Sequence, residues 1–399
     1  MRRRFKGLVK RLLLRSSRKD HIVGSFRDSG LLRLASSSTR NNARMILVQS
    51  QELGDMEEND AVSGQPLEDN SLDSFHSCKT SISSSDHLPI HDHPAAVAAV
   101  EDSTASFNLR IYAVTWNMNG KIPHDSLPKL LENGRGDYDL YVIGIQESPV
   151  SSLRRVLHPI LGKQYSFVAK SVMGSLQLYV FGKCWLQHHI SAKKVDKVRF
   201  KGFGGVVGRQ KGAVAASFCI GNSSFLFIAS HFAAHEKKVN ERHVQYSRTR
   251  QKIFSPPSTS QEQPGSNFMD ESDVVVWLGD LNYRIEGSRG LVKSFVKQNL
   301  EKLLWKRDQL FNAVDKGEVF NGFVEGPLEF KPTYKYDVGT DDYDTSGKER
   351  VPSWTDRILI KIRDESSISL DVDNYQSIDS LRSSDHRPVK ALLRVTNLS

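Results

Sequence analysis

Trp277-Leu278-Gly279-Asp280-Leu281-Asn282-Tyr283-Arg284-Ile285 follows directly on the apolar run Val274-Val275-Val276. A continuous apolar run ended by glycine reads as a strand buried on both faces. Asp280 and Asn282 stand two apart just past that strand, so they project from one side of the turn. A second stretch, Pro352-Ser353-Trp354-Thr355-Asp356-Arg357-Ile358-Leu359, sets Asp356 before the run Ile358-Leu359-Ile360. A carboxylate or amide at a strand end is costly to bury without a partner. Two such places in one domain point to a site. The bland alternative is a polar pair that only caps strands.

Outward from these stretches the pattern repeats. Leu109 to Trp116 reads as a partly alternating strand ending in the polar turn Asn117-Met118-Asn119-Gly120. Leu140 to Ile145 reads as another and ends in Gln146-Glu147. Residues 148–161 look helical, and Ser175 to Phe181 alternates as a strand. A glycine-rich loop over 202–212 leads into two strands joined at Gly221-Asn222. These are Ala213 to Ile220 and Phe225 to Ser230, the second ending in His231-Phe232-Ala233-Ala234-His235. Residues 236–253 are charged and helix-compatible, whereas 255–272, with Pro256, Pro257, Pro264 and Gly265, read as a loop. One or two helices fit 289–310. Lys331 to Asp337 leads into an acidic loop over 339–349 with the look of a mobile one. The last strands cover 357–362 and 388–395, and Ser384-Asp385-His386-Arg387-Pro388 precedes the final one. Strands outnumber helices, some joined as hairpins and others by helices, which suits a two-sheet α/β sandwich.

The 399 residues suit one large α/β domain plus an extension. A net charge of +9 favours anionic partners: phosphates, nucleic acid or an acidic membrane surface. Cys78, Cys184 and Cys219 are odd in number and widely spaced, so they form neither a disulfide framework nor a zinc pattern, and a reducing compartment is expected. No apolar run reaches the length that spans a bilayer.

Residues 1–20 hold nine Lys and Arg and no acid before Asp20, with Leu8, Val9, Leu12, Leu13 and Leu14 at roughly helical spacing. Three readings stay open: a basic amphipathic helix on anionic lipid, an organelle transit peptide, and a solvated tail. Residues 21–106 are rich in Ser, Asp, Glu, Asn and His, a composition that buries too little apolar area to offset ordering entropy. The expectation is therefore a disordered extension over 1–106 and a folded catalytic domain over 107–399.

The two opening stretches closely resemble the signature motifs of the inositol polyphosphate 5-phosphatases, and the resemblance runs from about Arg110 to about Val395. Two long motifs in the right order make it specific. It implies the DNase I-like fold of the exonuclease-endonuclease-phosphatase superfamily, a four-layer sandwich of two mixed β-sheets flanked by helices. It also implies magnesium-dependent removal of the 5-phosphate from inositol phosphates, phosphoinositide lipids or both.

The residues agree with that chemistry in their own terms. Asn117, Glu147, His231, Asp280, Asn282, Asp356, Asp385 and His386 all fall at strand ends. A divalent ion offsets the charge that repels a nucleophile from a phosphoester. Magnesium prefers carboxylate oxygen and water over imidazole and thiolate. No Cys lies in these motifs and no HExxH appears, which argues against zinc. By resemblance, Glu147 is the main metal ligand, with Asn117 and Asp385 beside the metal. Asp280 aligns the attacking water, Asn282 stabilises the phosphoryl charge, and Asp356 fixes the tautomer of His386. His231 reaches a phosphate oxygen and His235 supports the substrate. Arg284, Tyr334 and Lys335 match positions around the phosphate next to the scissile one, where a forked Arg and a point-charge Lys suit oxyanions. Whether Asp280 or His386 takes the water's proton stays open.

Arg357 reads equally as a site residue or a core ion pair, and Lys211 equally as a phosphate contact or a solvated charge. Trp277 and Trp354 read as core. Two other functions compete. A DNase I-like nuclease would share the metal chemistry but needs a groove reading a nucleic-acid backbone. An inert phosphoinositide-binding scaffold would lack one of Glu147, Asp280, Asn282, Asp356 or His386, and all are present. A cytoplasmic protein with peripheral contact to anionic membrane through its basic N-terminus, and no nucleic-acid partner, is the expected setting.

Overall fold

The computed structural model describes residues 107–149, 151–200, 210–255 and 267–397. The expectations for residues 1–106, and most of the glycine-rich 202–212 loop, lie outside them.

Twelve strands form two six-stranded sheets. The first is built from β1 (Asn108–Asn117), β2 (Leu140–Gln146), β3 (Tyr165–Met173), β4 (Leu176–Lys183), β11 (Ile368–Ser377) and β12 (Val389–Asn397), in the order β11-β12-β1-β2-β4-β3. The second uses β5 (Ile190–Arg199), β6 (Gly212–Ile220), β7 (Ser223–His231), β8 (Val274–Asp280), β9 (Val324–Glu325) and β10 (Asp356–Ile362), in the order β5-β6-β7-β8-β10-β9. One pair in each sheet is parallel, β1 with β2 and β7 with β8, and the remaining pairs are antiparallel.

Burial on both faces explains the continuous apolar runs. Val142, Val180, Ala216, Phe227, Val276 and Leu278 meet between the sheets. The alternate residues face outward under helices: Tyr112 and Tyr141 against Leu157 of helix Arg154–Leu161, and Ile228 and Trp277 against Tyr246 of helix Val239–Lys252. The result is the four-layer, DNase I-like sandwich.

The pairing sets the functional edge. Asp280 ends β8, with His231 beside it at the end of the parallel β7 and Asp356 opposite it at the start of the antiparallel β10. Asn117 ends β1 next to Gln146 of β2, and Glu147 follows. Because β12 runs antiparallel to β1, with Val389 opposite Thr115, the Ser384–Arg387 segment arrives at this same edge. Gly279 is needed here: its φ is +142°, and a Cβ would stand 2.1 Å from the Ser230 carbonyl oxygen.

Several expectations change. The helix expected over 148–161 begins only at Arg154. Residues 289–310 resolve into helix Arg289–Lys297 and a 3-10 turn, Glu301–Arg307, before helix Gln309–Asp315. Strands β3, β5 and β11 were not apparent, because their exposed or half-buried residues break both the apolar run and strict alternation. The acidic 339–349 loop is exposed along most of its length but buries Tyr343 and Asp344. Arg357 is a core ion pair: it donates to Asp308 Oδ1 at 2.8 Å and to both carboxylate oxygens of Glu325 at 2.7 and 2.6 Å. Trp277 and Trp354 are fully buried, their indoles donating to Ser230 Oγ and the Phe330 carbonyl, each at 2.9 Å.

Candidate active site

Asp280 is the centre of the edge. Its Oδ1 accepts from the Asn282 amide at 3.1 Å, and its Oδ2 accepts from Asn117 Nδ2 at 3.0 Å and His231 Nε2 at 3.2 Å. Burial would push this carboxyl up, but the hydrogen bond from His231, with the positive fields of His386 and Lys211, holds it far below the usual range. The Lys211 ammonium lies against His231 Nε2, so Lys211 belongs to the site and is not a solvated loop charge. Burial and that ammonium together lower the His231 imidazole. His231 Nδ1 has no hydrogen-bond partner among the described residues.

His386 is paired with Asp356, Nδ1 to Oδ2 at 2.9 Å, as the resemblance implied. The same Oδ2 accepts from Thr333 and Thr355 hydroxyls, each at 2.8 Å. Burial alone would lower the imidazolium. The Asp356 carboxylate outweighs it, with Asp280 and Asp385 adding, and pushes His386 up to about 9. His386 therefore carries its proton at neutral pH.

Two adjoining cavities open here. The smaller, about 100 Å³, is lined by Glu147, His231, Asp280, Asn282, Asp385 and His386. The larger, about 680 Å³, continues past Glu147 and Asp385 to Arg284, Tyr334, Lys335 and His235. Arg284 donates to Asn282 Oδ1 at 2.6 Å and lies 4.5 Å from the centre of the Tyr334 ring. Tyr334 packs in turn on His386, ring centres 4.5 Å apart. Asn117 and Asp356 line neither cavity. They stand behind Asp280 and His386 and act through them.

The donor set suits a hard cation. Glu147 sits at φ +55° with its carboxylate on the cavity wall, and His231 Nε2 lies 3.9 Å from its Oε1. Asp385 faces the same cavity, and its carboxyl is raised by burial and by the nearby Glu147. Two crowded carboxylates relieve each other when a cation joins them. No group of three or more His, Cys, Asp or Glu among the described residues is arranged to hold a metal alone.

Comparison with known proteins agrees with this geometry. The sequence model of Endonuclease/Exonuclease/phosphatase family 2 matches residues 114–392. "Type IV inositol polyphosphate 5-phosphatase 11" of Arabidopsis thaliana is 38% identical over 304 residues, covering 75% of this chain and 87% of that protein. The chain belongs to the inositol polyphosphate 5-phosphatase family. "Phosphatidylinositol polyphosphate 5-phosphatase type IV" of Rattus norvegicus is 36% identical, over 72% of this chain and 46% of that protein, so the chain spans about half of this longer relative. Among solved structures, the inositol polyphosphate 5-phosphatase domain of SPsynaptojanin, in complex with inositol (1,4)-bisphosphate and calcium ion, aligns with a TM-score of 0.61. It is 31% identical and covers 73% of this chain and 86% of that one.

Within this 5-phosphatase frame the sequence reading missed several supporting groups. The Trp116 indole donates to the His386 carbonyl at 3.1 Å. Ser384 Oγ donates to the Asn117 carbonyl at 2.7 Å and accepts from the His386 amide at 3.2 Å. Lys348 and Arg350 join the larger cleft from the 339–349 loop and its end. Thr333, Thr355 and Ser384 lie inside stretches already singled out, but nothing in those stretches tells which partners they meet.

The Asp356–His386 pair yields a direct test. His386→Ala is expected to lower kcat by at least about a hundredfold. If Asp356 acts through His386, the double variant Asp356→Asn/His386→Ala is little worse than His386→Ala alone. Full additivity in steady-state kinetics shows that the two are not a unit.

Proposed function

We propose that this chain is a magnesium-dependent phosphatase that hydrolyses the 5-phosphate of inositol phosphates and phosphoinositides. One observation carries the reading: a carboxylate-lined cavity opens straight into a cleft whose wall holds Arg284, Lys335, Lys348 and Arg350. The first is suited to a scissile phosphate, the second to further phosphates on the same ring.

Glu147 and Asp385 would hold a magnesium ion, which would supply positive charge to offset that of the phosphate and of the leaving oxygen. Asp280, fixed by three hydrogen bonds, aligns the water and accepts its proton as the new P–O bond forms. His386 already holds a proton at neutral pH, so it donates a charge-assisted hydrogen bond to the phosphoryl group. Asn282 adds its amide, oriented by Arg284 and by the Phe232 carbonyl it donates to at 3.2 Å. His231, held by Asp280, and His235 contact phosphate oxygens. The P–O bond to the ring breaks, the ring oxygen takes a proton from water in the cleft and leaves as a hydroxyl, and Asp280 returns the proton it accepted to solvent.

Lys335 separates this reading from a nuclease. Lys335→Gln keeps a donor for Asp344 and removes the charge. A hydrogen bond to a charged group is worth about 1.5–3 kcal/mol, so kcat/KM falls roughly tenfold to hundredfold for substrates phosphorylated at positions 4 and 5. A substrate without the 4-phosphate keeps its rate. Phosphate release from a substrate panel, with and without magnesium, is the measurement. Cleavage of plasmid DNA with no release from any inositol substrate overturns the reading.

The membrane contact belongs to this proposal too. The basic cluster in residues 1–20 supports peripheral binding of a cytoplasmic enzyme to anionic lipid, at about 1 kcal/mol per basic residue near the surface. Deleting residues 1–20 is expected to weaken liposome binding in a salt-sensitive way and leave turnover of a soluble inositol phosphate unchanged. Equal liposome binding by the two forms favours the tail or transit-peptide reading.

A further inference from the structure

Asp344 lies in the loop between Tyr336 and Arg350 and is fully buried. Its Oδ1 accepts from Lys335 Nζ at 3.0 Å, from the Ser346 amide at 3.3 Å and from Ser346 Oγ at 2.7 Å. Its Oδ2 accepts from the Arg350 amide at 2.9 Å. The main chain is fixed as well: the Asp344 amide donates to the Lys335 carbonyl at 2.9 Å, and Arg289 Nη2 donates to the Asp344 carbonyl. On the far side, Tyr336 and Tyr343 stack with ring centres 4.4 Å apart, and Tyr343 donates to the Pro332 carbonyl at 2.9 Å. One carboxylate thus joins Lys335 to the Ser346–Arg350 turn.

Lys335, Lys348 and Arg350 line the cleft, and Asp344 does not. Three cations facing one space repel each other, and long side chains lose rotamer freedom when ordered. A fixed anion behind them opposes both effects before any ligand arrives. The donors hold the Asp344 carboxyl at about 2 against burial, so it stays ionised throughout the neutral range.

We propose that Asp344 is a positioning residue that fixes the Lys335 ammonium and the Ser346–Arg350 turn relative to each other, and so sets the affinity for a non-scissile phosphate that it does not touch. The identity of that ligand rests on the 5-phosphatase reading, whereas the clamp itself does not.

Asp344→Asn keeps the volume, but an amide has one acceptor oxygen; it turns to the three donors at the Oδ1 position, so the Arg350 amide loses its partner and the Lys335 ammonium loses its counter-charge. With a soluble inositol phosphate carrying the 4- and 5-phosphates, KM is expected to rise about tenfold with kcat within about twofold. A substrate with the 5-phosphate and no 4-phosphate keeps both constants. In the unliganded protein, hydrogen exchange at the Arg350 amide is expected to accelerate at least about tenfold. Ser346→Ala removes the 2.7 Å bond, together with the long 3.4 Å one that Ser346 Oγ accepts from the Lys348 amide, and serves if Asp344→Asn does not fold. It is expected to raise the same KM by about threefold, the scale of one modest hydrogen bond. Equal losses on both substrates, no loss on either, or unchanged exchange at Arg350 overturns the proposal. No phosphate release from either substrate by the native chain overturns the functional reading instead, and the exchange measurement then decides the clamp alone.

Discussion

Glu147→Gln is expected to leave the fold intact and to abolish most turnover, by about a thousandfold, with or without added magnesium. The amide is isosteric, and the main-chain role of Glu147, accepting from the Gly120 amide at 3.0 Å, does not depend on the side chain. What changes is the ligand. A neutral amide oxygen binds a hard, strongly hydrated cation far less well than a carboxylate does. Losing the charge that offsets the phosphate removes the main electrostatic stabilisation of the reaction, worth several kcal/mol. Magnesium titration of the variant, followed by phosphate release and by a thermal-shift scan, checks both halves. The native chain is expected to gain thermal stability with magnesium, and the variant to gain little. Activity that survives both the substitution and chelation rules the metal mechanism out.

Asp280→Asn is expected to cost about a thousandfold in kcat, near the middle of the range for a positioned proton acceptor. The native carboxylate is acceptor-only, and three donors converge on it: the Asn282 amide, Asn117 Nδ2 and His231 Nε2. An asparagine meets them with one oxygen and one NH2 group, so a donor faces a donor whichever way it turns. The variant therefore loses the negative charge and the ordered water together. Because Asp280 is buried beside the Lys211 ammonium and His231, the change also removes the anion that balances them. Single-turnover kinetics with KM measured alongside is the check. A variant with raised KM and native kcat moves Asp280 out of the chemistry and into binding.

Most of the site was legible because its residues terminate strands with strong apolar runs. Such runs fix the strand ends, and the polar residue after each is left at the rim. Asp280, Asn282, Glu147 and His231 were found this way, and Asp356 from the run that follows it. The supporting groups were not legible. Trp116 reaches His386, and Thr333 reaches Asp356, across long stretches of chain that only the sheet pairing brings together. The acidic 339–349 loop misled for a different reason. It has the look of a mobile loop in sequence, and nothing local tells that Asp344, unlike its exposed acidic neighbours, is buried against Lys335 and the Arg350 amide. The strands β3, β5 and β11 lie at or near sheet edges, where one face is wet and the apolar signal thins out.

Asn117 belongs to one sheet and Asp280 to the other, and the 3.0 Å bond between them spans the seam. The filling of that seam is largely apolar. Apolar contact holds two sheets face to face but is non-directional, so it does not by itself dictate their lateral position. The reacting groups are thus an alignment mark between two halves of the molecule. A slip of about an ångström, too small to break any strand ladder, is enough to cost about a hundredfold in rate. On warming or in mild denaturant, turnover is therefore expected to be lost while both sheets still give their full circular dichroism, which following the two signals side by side checks.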